Sequence, residues 1–473
     1  MQWVYWPLMV AYAVTILSVV VVILSENRNP VKSLAWVTVL LLLPAVGLIL
    51  YIFFGRSFKN KRMISRNNRR RLKRQEFPRE SSTALSRLSA ENRQIVRLAT
   101  SLVHSIYSTG NSIDIFTNGQ DKFQSLINDI RAARFYIHIQ YYIFEDDRIG
   151  HEIKDLLIQK AKEGVTVRVI YDHVGSIRVK KSFFTAMKEA GIMVYPFFRV
   201  AFPPFGSRIN WRNHRKIVVI DGTIGYIGGM NIADRYITGG KFKSWRDTHL
   251  RISGPAASSL QYSFAVDWAF MGQPLIEEQS GELPPQQDEQ PSAGIQVITS
   301  GPVSQWNNIA LVFLKAIHTA RKRVFIQTPY FLPTESMLKA LQSAALSGVD
   351  VRVMIPRQPD SALLKYGSYS YIQECLRSGI KFYLYEAGMM HSKTLIIDND
   401  FASVGSTNFD FRSFEHNFEG NVLIYSKEVN ARLRAMFDND LNNCSRINAT
   451  AWRHRSLLEK ILESIVRLLS PIL

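Results

Sequence analysis

The chain carries one six-residue pattern twice, with the same internal spacing and one copy in each half. Each copy opens with His-x-Lys, runs through an apolar stretch to an Asp, and closes with two small residues and an Asn. A single copy would fit an ordinary strand, but two copies in register indicate a duplicated domain. The positions are His214, Lys216, Asp221, Gly228, Gly229 and Asn231, and then His391, Lys393, Asp398, Gly405, Ser406 and Asn408.

The residue types of this pattern favour phosphate chemistry. The segment from Lys216 to Ile220 alternates like a strand, so His214 and Lys216 should project from the same face. If the halves pack face to face, two histidines and two fixed positive charges converge. The lysines would neutralise phosphoryl oxygens, while one imidazole attacks phosphorus and the other transfers a proton.

The order of elements around the pattern is also duplicated. Strands alternate with helices of crossover length, which predicts an α/β fold with a parallel or mixed sheet in each half. We place the first half at 106–275 and the second at 295–450. The predicted strand, helix and strand are 135–144, 150–163 and 165–172 in the first half, and 324–331, 334–347 and 349–356 in the second.

The stretch between the halves, 276–294, is rich in Glu, Gln and Pro. This composition predicts an exposed linker, and a structured loop over the site is the alternative.

The amino-terminal 56 residues contain two uncharged apolar stretches, Pro7 to Leu24 and Leu34 to Phe54, of 18 and 21 residues. As helices they would reach about 27 and about 32 Å, close to the roughly 30 Å of a bilayer core. They predict a hairpin of two transmembrane helices. A signal peptide is the alternative for the first stretch, but no Lys or Arg precedes it and a second apolar stretch follows.

Charge predicts the orientation of this hairpin. The connector holds only Arg28 and Lys32, whereas 56–74 holds ten basic residues, so the flank after the second stretch should be cytoplasmic. The segment 57–105 is then a basic juxtamembrane connector. It either binds anionic lipid headgroups or only sets the topology. Nucleic acid is a weaker explanation, because the run lacks the interleaved aromatics of a stacking groove.

The last segment, 451–473, has the pattern of an amphipathic helix. It would lie on a bilayer with its basic residues facing headgroups, or pack on the protein body or another subunit. The apolar stripe comprises Leu458, Ile461, Leu462, Ile465, Leu468, Leu469 and Ile472, and the basic residues are Arg453, Arg455, Lys460 and Arg467.

These residues resemble the signature of the phospholipase D superfamily, a duplicated His-x-Lys-x4-Asp followed by Gly-Gly or Gly-Ser and an Asn. Three further stretches, at 225–236, 244–255 and 412–426, are similar to its bacterial cardiolipin synthase branch. The resemblance covers nearly the whole chain. It implies two pseudo-symmetric half-domains with the active site between them, and transfer of a phosphatidyl group through a phosphohistidine.

The resemblance also implies roles for single residues. His214 would be the nucleophile and His391 the general acid and base, although the symmetry permits the reverse. Asp247 and Glu419 would orient the histidine rings, or else act as structural acids. The oxygens of the substrate would be held by Lys216, Lys393, Asn231, Asn408, Gly229 and Ser406.

The signature aspartates, Asp221 and Asp398, belong to the catalytic set by resemblance. Each ends a predicted strand, however, which favours a structural role. His249 is a further histidine of interest, although most histidines outside the signatures should be ordinary.

The expected reaction joins two phosphatidylglycerol molecules into cardiolipin and glycerol. No metal or other cofactor is expected, and two cysteines, Cys375 and Cys444, suit a reducing compartment. We expect an integral, multi-pass protein of the bacterial inner membrane that contacts anionic lipids and keeps its catalytic domain in the cytoplasm. The alternatives are a hydrolase of the phospholipase D type, a nuclease and a catalytically silent membrane scaffold, and the oligomeric state is left open.

Overall fold

A computed structural model describes residues 2–25, 30–51, 65, 68, 70–71, 85–103, 105–198, 211–276 and 293–470. It divides into two compact units, one made of 1–59 and 200–211 and the other of 60–199 and 212–473. The predicted linker lies almost entirely outside the described residues, as does most of the basic juxtamembrane run.

The described residues of the smaller unit form helices α1 (Gln2–Ser25), α2 (Pro30–Leu42) and α3 (Pro44–Leu50). Pro44 begins α3, so the second apolar stretch is divided at Leu43. Ile23, Leu40 and Tyr51 form a small buried cluster. Over the described part of the chain, no helix meets the length and apolarity expected of a membrane span, so the two predicted transmembrane helices are not confirmed.

In the described part of the larger unit, helix α4 precedes a first α/β half. Most strands alternate with helices, as predicted. The elements are α4 (Ala90–Leu102), β1 (Ser108–Phe116), α5 (Gly119–Ala132), β2 (Tyr136–Tyr141), α6 (Arg148–Lys162), β3 (Thr166–Asp172), α7 (Lys181–Glu189), β4 (Met193–Phe197), β5 (Arg212–Asn213), β6 (Ile217–Ile220), β7 (Ile224–Gly228), α8 (Arg235–Thr238), β8 (Trp245–Arg246), β9 (His249–Ser253) and α9 (Ala256–Phe270).

The second half repeats this order. Its elements are β10 (Ala293–Ser300), α10 (Asn308–Thr319), β11 (Arg323–Gln327), β12 (Phe331–Leu332), α11 (Glu335–Leu346), β13 (Asp350–Pro356), α12 (Ala362–Arg377), β14 (Lys381–Tyr385), β15 (Met389–Met390), β16 (Thr394–Ile397), β17 (Phe401–Gly405), β18 (Phe409–Asp410), α13 (Phe411–Glu415), β19 (Asn417–Tyr425), α14 (Lys427–Leu441), β20 (Cys444–Arg446), α15 (Ala449–Arg453) and α16 (Leu457–Leu469).

One mixed sheet runs through both halves in the order β20-β14-β13-β11-β16-β17-β19-β10-β1-β9-β7-β6-β2-β3-β4. The antiparallel pair β1 and β10 joins the halves, with Ser108 opposite Ile295. One apolar core draws on both halves, through residues such as Val219 and Ile396, and each half has a second core of its own. The duplicated α/β fold is thus confirmed, and its shared sheet brings the two copies of the pattern together.

Two local predictions differ from the structure. The predicted strand at 324–331 is split into β11 and β12. Strand β6 begins at Ile217, so His214 and Lys216 precede the strand. Both residues lie in the short segment between β5 and β6, where the backbone pairs with the opposite half before it enters the sheet.

Candidate active site

His214 is held by residues of the opposite half. Strand β5 pairs in parallel with β19, and the His214 backbone N–H donates to the carbonyl of Phe418 over 2.9 Å. Its Nδ1 lies 3.1 Å from both carboxylate oxygens of Glu419 and 3.1 Å from the carbonyl oxygen of Ser406. The first histidine is therefore oriented by an acid from the second half.

His391 has the reciprocal arrangement. Strand β15 pairs in parallel with β8, and the His391 N–H donates to the carbonyl of Arg246 over 2.7 Å. Its Nδ1 lies 2.6 Å from Oδ2 of Asp247. Each ring thus presents Nδ1 to a carboxylate, which leaves Nε2 for chemistry.

The two lysines of the pattern lie beside their histidines. Lys216 Nζ donates to the His214 carbonyl over 2.6 Å, and Lys393 Nζ lies 2.8 Å from His391 Nδ1. Both are buried, and the Lys393 ammonium acts electrostatically on Lys216. Burial lowers the pKa of Lys216 to about 7 and also lowers the pKa of Lys393.

The histidines and their acids have shifted pKa values. Burial lowers the pKa of His214, although Glu419 opposes the shift. Burial, aided by Lys393, lowers the pKa of His391 to about 4. Burial would raise the pKa of Asp247, but Lys393 and His391 outweigh it, and His214 does the same for Glu419, so both acids have lowered pKa values. Two neutral imidazoles paired with two carboxylates are suited to nucleophilic and proton-transfer chemistry.

The small-residue pair of each copy makes room for the orienting acid. A Cβ on Gly229 would lie 2.0 Å from Asp247 Oδ1, so no larger residue fits without moving that carboxylate. In the second copy, the equivalent Ser406 donates from its hydroxyl to Glu419. Gly229 therefore leaves room for Asp247, and Ser406 hydrogen-bonds to Glu419. These contacts with the orienting acids come in addition to the substrate contacts expected from the resemblance.

We predict that Gly229→Ala displaces Asp247 and lowers kcat by on the order of tenfold or more, because His391 loses its partner. Gly420→Ala is the matched control, since a Cβ at Gly420 meets nothing closer than 3.6 Å. Steady-state kinetics and thermal melting of both variants test this expectation. Equal activity of the two would contradict it.

The two signature asparagines have different surroundings. Asn231 Oδ1 accepts from the Ile143 N–H over 3.1 Å, and its Nδ2 donates to the Tyr236 hydroxyl over 2.7 Å. Asn408 Oδ1 is buried and has no hydrogen-bond partner among the described residues. The Asn408 side chain also hydrogen-bonds to the Asp410 carboxylate. Its buried Oδ1 can accept a hydrogen bond from a substrate hydroxyl, whereas Asn231 fixes the surrounding loop.

The signature aspartates lie at the far ends of their strands from the histidines. The Asp221 carboxylate accepts three backbone N–H groups, from Arg134, Phe135 and Tyr136. Asp398 accepts the equivalent three groups at 321–323. These contacts anchor the starts of β2 and β11, so we assign both aspartates a structural role.

Beneath the site lies an arginine network that the sequence analysis missed. Arg215 pairs with buried Asp267 at 2.5 Å and donates from Nε to the Glu419 carbonyl over 3.0 Å. Arg246 pairs with Asp440 at 2.8 Å and donates from Nη1 to the Asp247 carbonyl over 2.7 Å. Each orienting acid is thus fixed by an arginine.

One signal in the sequence could have indicated this network. The duplicated Ile-Gln dipeptides end in Gln140 and Gln327, which donate to Asp267 over 2.5 Å and to Asp440 over 2.8 Å. His249, in contrast, is buried with no hydrogen-bond partner in the described part of the chain. We assign it no role.

Aromatic rings border both histidines. Tyr142 meets His214 edge to face at 5.1 Å between ring centroids. Trp245 and Tyr236 lie 5.3 and 6.1 Å from His391. The His214 and His391 side chains beside these rings are only 12% and 10% exposed.

Comparison with known proteins supports the assignment of these residues to an active site. The family model described as "Cardiolipin synthase, PLD-like domain" matches residues 126–268 and 313–441, and "Phospholipase_D-nuclease N-terminal" matches 13–56. The chain is 39% identical to the major cardiolipin synthase ClsA of Bacillus subtilis strain 168, over 98% of each chain. It is 41% identical to cardiolipin synthase 2 of Bacillus anthracis, over 96% of this chain and 89% of that one.

A solved structure shares the fold. The phosphatidylserine synthase of Haemophilus influenzae Rd KW20 superposes with a TM-score of 0.60 and 15% identity, covering 80% of this chain and 100% of that one. Together, the paired His-Lys site, the family models and the near full-length relatives lead to one conclusion. The chain is an enzyme of the cardiolipin synthase family, built on two phospholipase D-like half-domains.

Proposed function

We propose that this enzyme transfers a phosphatidyl group from one phosphatidylglycerol molecule to another and yields cardiolipin and glycerol. The observation that carries the proposal is the exchange of acids between the halves. His214 is oriented by Glu419 and His391 by Asp247, so each imidazole offers Nε2 to a common site. The two lysines supply the positive charge that a phosphodiester requires.

In the first step, His214 Nε2 attacks phosphorus and the bond to the headgroup glycerol oxygen breaks. His391 donates the proton that the departing oxygen needs, so glycerol leaves as a neutral alcohol. Lys216 and Lys393 hold the nonbridging oxygens, while Asn408 Oδ1 accepts a hydrogen bond from a substrate hydroxyl. The product of this step is a phosphatidyl group bonded to His214.

In the second step, a headgroup hydroxyl of the second phosphatidylglycerol attacks the same phosphorus. Neutral His391 removes the proton of this hydroxyl, and the bond from phosphorus to His214 breaks. Cardiolipin forms and both histidines return to their starting state. One phosphodiester replaces another, so the reaction needs no further reactant.

The low pKa of His391, about 4, means that this ring is neutral in the empty site at neutral pH. A bound phosphodiester brings a negative charge next to the ring, which raises its pKa and lets it acquire the proton for the first step. Substrate binding therefore prepares the general acid.

The amino-terminal residues support a location in the membrane. Helix α1 has no charged residue, and the basic residues of 56–74 follow the second apolar stretch. We propose that this segment inserts as a hairpin in the bacterial inner membrane and that the catalytic unit faces the cytoplasm. Anionic lipids would then be concentrated near the site.

The proposed reaction is tested with the purified full-length chain in phosphatidylglycerol vesicles, with and without a chelator, by mass spectrometry of the lipids. Cardiolipin plus glycerol in equal amounts, unaffected by the chelator, is the expected result. If phosphatidic acid is the only product, the protein is a hydrolase and not a synthase. If the lipids do not change, a nuclease or a catalytically silent scaffold is favoured.

We predict that the pH profile depends on Lys216. Because burial lowers its pKa to about 7, the ammonium is lost as the pH rises through that value, and kcat/KM should fall on the alkaline side. Lys216→Arg keeps the charge at high pH, so the alkaline limb should move upward even if the maximal rate drops. The measurement is kcat/KM from pH 5 to 9, with Lys339→Arg, a remote helix position, as the control. If the alkaline limb of the Lys216→Arg profile stays at the pH of the parent protein, a group other than Lys216 controls that limb.

A further inference from the structure

The carboxyl-terminal helix α16 turns an apolar side to the exterior and a charged side to the protein, which is the reverse of a typical surface helix. Glu463 and Arg467 face the protein: Glu463 pairs with Arg455, which precedes the helix, at 2.6 Å, and Arg467 pairs with Glu374 on α12 and lies 4.2 Å from the Tyr371 ring. Two of the basic residues expected to face headgroups are therefore engaged by protein groups instead: Arg467 by α12, and Arg455 by Glu463 and Trp452 of its own carboxyl-terminal segment. Glu463 is buried, and most leucines of the helix are exposed.

The exposed face is almost wholly apolar. Leu468 is 81% exposed and Leu457 73% exposed. At 100° per residue the exposed apolar positions span an arc of about 140°. The face comprises Leu457, Leu458, Ile461, Leu462, Ile465, Leu468 and Leu469, and we call it the leucine face.

The helix that carries the leucine face is linked to the active site through α12. Helix α16 packs along α12, where Val466 lies near Gly367. Asp360, just before α12, accepts from the Tyr330 hydroxyl over 2.5 Å and acts electrostatically on His391 and Lys393. The helix that supports the leucine face thus begins beside the catalytic lysine and histidine.

We infer that the leucine face docks on a lipid bilayer and holds the catalytic unit against the surface that supplies its substrates. The helix is anchored to the body on its polar side, by the Arg467–Glu374 pair and by Val466, and its apolar side is exposed. Such an apolar side is buried only in an apolar medium. An arc of about 140° is wider than the narrow seam of a two-helix coiled coil, which favours a bilayer over a second copy of the chain. Exposed Arg453 and His454 lie shortly before the start of the helix, where anionic headgroups would meet them.

The test uses the full chain in vesicles of phosphatidylglycerol and phosphatidylcholine. A fluorophore sensitive to its environment is attached through Leu468→Cys, and a matched protein carries it through Leu346→Cys. Leu346, at the end of α11, is 73% exposed but lies outside the leucine face. Labelling of the parent chain gives the background from Cys375 and Cys444.

We expect the label at position 468 to shift to the blue and to lose most of its emission when the acyl chains carry bromine, whereas the label at 346 does neither. Adding Ile465→Glu should abolish the quenching without lowering the melting temperature, because Ile465 is exposed. Equal exposure of both labels to water in vesicles would overturn the inference. So would a blue shift that bromine does not quench and that grows with protein density, since it would indicate a second copy. The readout needs no turnover, so it is independent of the proposed reaction.

Discussion

His214→Ala and His391→Ala should each lower phosphatidyl transfer by about 10³-fold or more, because each removes a group that reacts directly with the substrate. His214 supplies the bond to phosphorus and His391 the proton. Both imidazoles are held at Nδ1 by a carboxylate from the opposite half, so no neighbouring histidine can replace either one. The measurement is cardiolipin formed per minute in phosphatidylglycerol vesicles.

His318→Ala is the control for these variants, because His318 is exposed and remote in the chain from both signatures. It should keep full activity. The two active-site variants should insert in membranes and melt as the parent does, since neither ring fills a core of the sheet. Near-normal turnover in either variant would contradict the two-histidine mechanism, and the catalytically silent scaffold would again be an alternative.

The second large effect concerns the orienting acids. Glu419→Gln should lower kcat by on the order of 10²-fold, since the amide no longer fixes the His214 tautomer or stabilises its positive charge. Glu419 raises the pKa of His214, so its loss should lower that pKa and move the acidic limb of the kcat profile to lower pH. Asp247→Asn should act likewise on His391.

Glu428→Gln is the matched control, because Glu428 is exposed on α14 and follows Glu419 closely in the chain. A purely structural role for Glu419 would lower stability and leave the pH profile in place. The carboxylate and imidazole pairing requires the profile to move.

The duplicated pattern predicted much of the fold and the centre of the site. Because its two copies carry residues of one chemistry, they had to meet, and the sheet that joins β1 to β10 brings them together. The roles of Asp221 and Asp398 followed from their positions at strand ends. Helix α6 and strand β3 lie within two residues of their predicted bounds.

The rest depended on contacts between distant parts of the chain. Nothing local to Glu419 indicates that it faces His214 across the two halves, and the pairing of Arg246 with Asp440 has no sequence period to reveal it. The sequence predicted the apolar stripe of α16, but it did not indicate whether the stripe faces the protein or the exterior. The ion pair of Arg467 with Glu374 on α12, together with the burial of Glu463 and Val466, shows that the stripe faces outward.

The central claim is that one histidine carries the phosphatidyl group and the other moves the proton. The most direct measurement is to quench the His391→Ala protein in acid-free denaturant after mixing with phosphatidylglycerol, and then to locate the phosphorus adduct by peptide mass spectrometry. We predict an adduct on His214 that is absent from His214→Ala. An adduct on His391 of the parent protein, or none on any histidine during active turnover, would contradict the account.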